Sequence, residues 1–501
     1  MPGCYSSQCA QFVPYEIATA EPTSREESVT SHVEAAIRAL RIVAERPDPT
    51  APLGTGAIAA ELGRSASSVS RSCAALARLG LLAHGEAYGS YRLGRAAIRL
   101  SGRAAAAVAL PVRSALTIAA QTTGETACLA ARSGDALHIV ASVGSEWTLH
   151  AAADVGERVP HGTAIAAAEA GDVASSPGRP RVVESLRGGV VEVASSVLGP
   201  DGECVAIVAI RLPTNRSEGG VPRARRAVET ARRRIEAMIA NAPGPPGGER
   251  PPAGRTHLVP AGVSVPALEA AVRILDHLAA GPDSASGIAR AAGVPPDRAR
   301  RLVDSLARAG VVTNRADGRG SILGWGIHGW HRAATGPTLV SAGKALVAEV
   351  AADAGVFGFI TILRGIRSFT VVEVLGDPTG GLVMMPWLGR PHPVIGSDGG
   401  PTLVMEFEPD DLDGLLRKRH SASDLDTLHE RIRRVSRDGV ISIDSDEDAG
   451  LISTSAPIRD ASGRVVGAAC LTGGTDSILP RRREIEHATR RLADRLSDLV
   501  R

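Results

Sequence analysis

Residues 63–94 and 293–324 align without a gap at a constant offset of 230 (293 − 63). Self-similarity over that length signals duplication of a whole domain and not a short solenoid repeat. Any fold for this chain must therefore be built from two related halves. In the first copy Val69, Cys73, Leu76 and Ala77 stand at i, i+4, i+7 and i+8, one apolar stripe of a helix. The stripe recurs as Ala299, Val303, Leu306 and Ala307, while Arg71, Arg78 and Gly80 recur as Arg301, Arg308 and Gly310.

A short helix over 56–62 precedes the stripe across a turn at Gly63, and a hairpin turning at 85–89 follows it. Helix, turn, helix and hairpin make a winged helix-turn-helix, in which one helix enters the major groove and the hairpin touches phosphates. The face opposite the stripe carries Ser67, Ser68, Ser70 and Arg71 in the first copy and Asp297, Arg298, Arg300 and Arg301 in the second. With Arg64 in the turn and Arg315 and Arg319 in the second hairpin, these are the candidate DNA contacts, and Asp297 is placed to cap its helix. Periodicity alone fits an ordinary three-helix packing unit with a solvated face as well as it fits a DNA reader. Repetition of the whole pattern favours the second. Residues 33–45 and 268–279 are amphipathic and supply the first helix of each unit.

At 501 residues and 44% hydrophobic content the chain has core enough for several domains. Net charge is only +2, so affinity for nucleic acid must come from local arginine patches. Six cysteines (Cys4, Cys9, Cys73, Cys128, Cys204 and Cys470) show neither a CxxC pair nor zinc-finger spacing with histidine. That pattern argues against a metal site or a disulfide framework. No run of about 20 apolar residues occurs and the first twenty residues lack a signal-peptide pattern, so a cytoplasmic protein without a membrane partner is expected.

Residues 1–32 read as a mobile tail, 33–96 as the first winged unit, 97–240 as a shortened sensor-like domain and 241–262 as a Pro/Gly-rich linker. A second winged unit over 263–328 and a full sensor domain over 329–501 follow. Connecting helices over 95–122 and 326–354 lead into strands at 126–131, 137–142 and 204–210, and at 357–363, 369–374 and 465–471. The last strand of each set follows a turn, Asp201-Gly202 or Ser462-Gly463. There the offset has grown to 261 (463 − 202), because the helical stretch 408–440 has no counterpart in the first half. Strands mixed with helices, without strict alternation, give an α+β multidomain chain.

In this order each half resembles the IclR family of bacterial transcription regulators. The residues that carry the resemblance are ALRIV at 39–43 and AVRIL at 271–275, and 63–71 and 293–301 beside the family's G-L-P-x-S-T-x-x-R pattern. The hairpin ends YRLG and SILG, TGET at 123–126, VGERVPH at 155–161, and SAP at 455–457 with DASGRVV at 460–466 complete it. It spans nearly the whole chain outside the tail and the linker. Implied are two winged helix-turn-helix domains, each followed by a GAF-like effector-binding domain, in a regulator that represses or activates on double-stranded DNA. Also implied is a small organic effector, carboxylic or aromatic, with no cofactor and no enzymatic activity. The assembly would be a homodimer or, with two subunits fused head to tail, an intramolecular pseudo-dimer. The unlike outward faces of the two copies imply an asymmetric operator.

Some residues depart from the family. Ala166-Ala167 and Gly400-Pro401 stand where it has Gly-Lys, and Ile395 where it has His. The family's ligand-lining positions fall in the second half on Asp398, Gly399, Gly400, Asp444, Ser453, Cys470 and Thr472. In the first half Glu192 and Arg211 replace Ser453 and Thr472, a pair expected to join and close that site. A metabolite pocket is therefore expected in the second half.

Two other readings stay open at this stage. One is a metabolite-binding or protein-interaction module that has lost DNA binding, which the near-neutral charge suits. The other is an enzyme, for which His161, His392 and Asp398 lie near the pocket but no nucleophile, base and orienter set is visible. The acidic run of Asp444, Asp446, Glu447 and Asp448 reads as a solvated turn ahead of a cation site.

Overall fold

A computed structural model describes residues 24–171, 182–241, 265–315, 320–376, 384–397, 399–445 and 449–501. The expectations for Cys4, Cys9, the linker, Arg319, Asp398 and 446–448 thus lie outside the described residues. The first helix, Ser24–Ala44, starts well before residue 33. Residues 24–31 show no apolar period in the sequence, so this extension carried no periodic signal.

Helices Thr55–Leu62 and Ala66–Arg78 and the hairpin of Leu82–His84 with Ser90–Leu93 follow in the first half. In the second, Ala267–Leu278 is followed by Ala285–Ala292, Pro296–Arg308 and the hairpin of Val312–Asn314 with Ser321–Leu323. Gly63 (φ 62) and Gly293 (φ 68) make the turn between helices in a left-handed conformation that strains other residues.

The two units do not have separate cores. Leu40, Ile58 and Leu76 of the first and Ile274, Ile288 and Leu306 of the second belong to one continuous apolar cluster, which also buries Trp330. Arg41 ties three parts together: its buried guanidinium donates to Glu45 at 3.0 Å, to the Ser133 hydroxyl at 2.9 Å and to the Ala309 carbonyl at 2.8 Å. Gly310 (φ 79) packs so close to Gly134 that a Cβ would overlap its backbone.

Each expected connecting helix is broken. Arg95–Ala105 and Ala109–Thr123 meet at 74°, since Pro111 has no N–H with which to bond Ala107 and extend the ladder across the joint. The second half instead runs a 3₁₀ segment, Trp325–Gly329, into helices Trp330–Ser341 and Gly343–Ala354. Among the described residues no single helix is long and apolar enough to cross a membrane.

Two antiparallel sheets follow. In the first half the order is Ala136–Val143, Thr126–Ser133, Cys204–Pro213, Val190–Leu198, Val183–Arg187. The second has six strands: Pro391–Pro393, Arg367–Val374, Phe357–Arg364, Val465–Gly474, Leu451–Arg459, Ile441–Asp444. One face of each is packed by two helices, Ala109–Thr123 with Ser217–Asn241 and Gly343–Ala354 with Arg482–Val500. Over the other face lie Ala164–Gly171 in the first half, and in the second Gly400–Val404, with Pro409–Leu416 and Ala422–Asp438 packed beyond it.

Candidate nucleic-acid interface and effector pocket

Ser65 caps helix Ala66–Arg78 by accepting from the Ser68 amide, and Val69, Ser72, Cys73 and Leu76 face the core. This leaves Ser67, Ser70 and Arg71 exposed and Ser68 half-buried. Arg64 is exposed too, but its guanidinium turns back to the Ser31 hydroxyl at 3.1 Å. The equivalent helix, Pro296–Arg308, differs at its start. Its cap position is Pro295 with Pro296 at the first turn, so Asp297 is not a cap as expected but an exposed first-turn acid. Proline is well suited to that first position, where its missing N–H costs nothing. Arg300 is exposed, Arg301 half-buried, and Arg298 donates to the Val265 carbonyl at 2.6 Å. In the hairpin, Arg315 pairs with Asp201 of the first half at 3.4 Å. Arg71 and Arg300 are therefore the expected arginine contacts that stand exposed on the two helices.

In the second sheet the strand period puts Ser453, Ser455, Cys470, Thr472, Phe359 and Thr361 on one face. Ser453 and Thr472 sit opposite each other with hydroxyls 2.8 Å apart, and both are fully buried. They bond each other and do not line the cavity. Thr402 closes the next row on Ser455 at 2.8 Å. What remains open is a cavity of about 20 Å3, lined by Gly399 and Cys470 of the expected residues together with Thr361, Trp387, His392 and Ser397. That is room for about one water. Trp387 stacks on Phe359 at 5.4 Å between ring centroids and roofs the cavity. Asp444 is exposed and stands next to Ser445, which does line it. Gly400 is packed against the Val394 carbonyl. His392, which the sequence placed near the pocket, does line it; Trp387 and Ser397 were not legible as lining residues, because they lie in an irregular stretch with no period.

At the matching place in the first sheet, Glu192 and Arg211 are cross-strand neighbours. Arg211 Nε donates to Glu192 at 2.9 Å, its Nη1 reaches Glu157 at 2.9 Å, and Glu192 also accepts from the Ile165 amide at 2.9 Å. Both side chains are buried. Cys128, Ala130, Ala194 and Ala209 fill the rest of that face with Ile165, and burial pushes the Cys128 thiol up to about 12.

A Ser, His and Asp row does occur where the halves meet, invisible to spacing. Ser101 Oγ lies 2.8 Å from His331 Nδ1, and His331 Nε2 lies 3.4 Å from Asp460. All three are buried, and the hydroxyl donates to the Ile327 carbonyl at 2.6 Å. It is a packing element that offers no accessible nucleophile. Burial works against the Asp460 charge, yet bonds from His331 and Ser462 and the nearby Arg332 hold its pKa at about 2. Among the described residues no cluster of His, Cys, Asp or Glu is placed to hold a metal.

Among solved structures the chain is similar to an IclR-family protein from Rhodococcus sp., with 23% identity, 50% of this chain and 97% of that one covered, and a TM-score of 0.36. An IclR transcriptional regulator from Alicyclobacillus acidocaldarius shares 20% identity over 48% of this chain and 100% of its own, at a TM-score of 0.30. An IclR homologue from Microbacterium hydrocarbonoxydans, complexed with 4-hydroxybenzoate, shares 18% over 47% and 98%, also at 0.30. No curated protein matches the chain. The family model of the IclR helix-turn-helix domain matches residues 267–316, and the second helix-turn-helix unit of this chain is accordingly of the IclR type.

Proposed function

We propose that this chain is a DNA-binding transcription regulator in which two unlike helix-turn-helix units, fixed in one core, read an asymmetric operator under control of a small organic effector. The observation that carries this reading is the pair of outward helix faces, Ser67, Ser70 and Arg71 against Asp297 and Arg300. Two units sharing a core hold such helices at a fixed separation, as reading two adjacent half-sites requires. Ser101 and His331 occupy the same place in the repeat (331 − 101 = 230) and touch. A position that meets its own equivalent lies on a twofold axis, so the two halves act as an intramolecular pseudo-dimer. The effector pocket belongs to the second sheet, around Gly399, Cys470 and His392, with the Trp387 roof opening to admit it.

Gel shifts of the full chain on fragments of its own upstream region, at two salt concentrations, test the proposal. A salt-sensitive specific shift is expected, weakened roughly tenfold by Arg71→Ala and by Arg300→Ala. A selected operator that is a perfect palindrome would refute the asymmetry. One observation favours the alternative of a binding module without DNA: Arg298 and Arg315 are already engaged by Val265 and Asp201. A folded chain with no salt-sensitive affinity for duplex DNA would establish that alternative.

A further inference from the structure

A second and larger open cleft lies between the halves. It holds about 500 Å3, the size of a site for a drug-like molecule and far larger than the cavity under Trp387. The first half contributes Arg113 and Leu116 from helix Ala109–Thr123, and the second contributes Arg332 and Leu339 from helix Trp330–Ser341. Arg464 comes from the turn before strand Val465–Gly474. The walls are thus apolar between helices, with guanidinium groups set into them.

Charge in the cleft does not balance. Arg113, Arg332, Arg364 and Arg464 line it, against Asp154 and Asp460. Asp460 is already committed: it accepts from the Ser462 amide at 2.9 Å and hydroxyl at 2.6 Å, and faces His331. Among the described residues Arg113 donates to carbonyls alone, of Val465 and Leu403, and lies over the Phe407 ring, while Arg332 donates to the carbonyls of Val140 and His328. Carbonyls satisfy N–H groups without cancelling charge. Arg464 Nε is buried and has no hydrogen-bond partner among the described residues. Burial lowers the pKa of both Arg113 and Arg332, as it does for cations stripped of water.

We infer that this inter-half cleft is a binding site for an organic anion, a carboxylate or sulfonate on an apolar body, whose head meets Arg464 and Arg332 while the body lies between Leu116 and Leu339. Such a ligand touches the segments that follow both hairpins, so it wedges the two helix-turn-helix units into one relative setting. That consequence rests on the regulator reading; the site itself does not.

The test follows fluorescence of 1-anilinonaphthalene-8-sulfonate on the full chain without DNA, beside N-phenyl-1-naphthylamine, the same aromatic frame without the charge. Gly336 lines the cleft and has nothing within 4 Å of a Cβ position, so Gly336→Phe fills the cleft without a clash at its root. One saturable sulfonate site per chain is expected, weakened at least tenfold by Gly336→Phe. Arg464→Gln should weaken the sulfonate about tenfold, the scale of a charge-assisted bond, and leave the neutral probe unchanged. Unchanged sulfonate affinity in Gly336→Phe overturns the proposal, as does equal response of both probes to Arg464→Gln. The two-probe comparison decides alone if the Phe variant does not fold. Because no DNA is present, failure of the gel shifts leaves this result standing.

Discussion

Consider the buried ion pair that takes the place of a pocket in the first half. Arg211 and Glu192 have side chains only 8% and 6% exposed, so neither charge can turn to water if its partner is removed. Breaking a buried pair from one side costs about 3–5 kcal/mol, mostly the penalty of the stranded charge. Glu192→Ser leaves Arg211 with Glu157, itself 33% exposed, and takes an acceptor from the Ile165 amide; a loss of about 3 kcal/mol follows. Arg211→Thr strands Glu192, which among the described residues keeps only the Ile165 amide, and costs at least as much. The double variant Glu192→Ser/Arg211→Thr instead reproduces the hydroxyl pair that the second half builds from Ser453 and Thr472 at 2.8 Å. Of the surrounding charges only Glu157 loses a partner, and at 33% exposure it can turn to water, so the loss should be about 1–2 kcal/mol, mostly from the space vacated. The coupling is then at least about 4 kcal/mol. Hydrogen exchange of amides in Val190–Leu198 and Cys204–Pro213 reads the local opening energy of this sheet and needs no two-state unfolding of the whole chain. Single-variant losses that simply add, within about 0.5 kcal/mol, would refute the reasoning.

Two further perturbations probe the seam between the halves. His328 is buried beside Trp325, at 4.9 Å between centroids, and burial lowers its pKa to about 3, with Arg332 and His331 adding to the effect. Because the folded value is below the unfolded one of about 6.5, the unfolded chain binds the extra proton, and stability is full above pH 6.5 and falls as pH drops towards 3. The loss is at most about 5 kcal/mol, and urea midpoints from pH 7 to 4 should flatten in His328→Gln. Gly310 and Gly202 share φ near 79 and 78, but only Gly310 faces another backbone, that of Gly134. Gly202→Ala should cost about 1 kcal/mol of backbone strain. Gly310→Ala should cost about 1–3 kcal/mol more by overpacking, with faster proteolysis of the turn between Thr126–Ser133 and Ala136–Val143; equal melting points for the two variants would show that the contact carries no energy.

Sequence revealed the parts of this molecule that follow a period and hid those made by encounter. Strand pairs were legible because alternation and the Gly202 and Gly463 turns are local signals. The Glu192 and Arg211 pair was legible by a different route, since aligning the halves puts an acid and a base where Ser453 and Thr472 stand. By contrast, Asp297 looked like a cap because residue type was read without the two prolines before it, and nothing in the sequence marks the Arg41 tie, because Ser133 and Ala309 are far from it in the chain. The same applies to the cleft arginines, which are far apart in the chain. On the proposed pseudo-dimer reading, Ser101 and His331 illustrate what duplication within one chain permits. In a dimer of identical subunits the residue on the axis must face itself, and a histidine there would bury two imidazoles against each other. Here a hydroxyl meets an imidazole and Asp460 answers from one side only, a polar row that two unlike equivalents on the proposed axis can build. A chain of two second halves, His331 against His331, is on this argument unable to close the same seam.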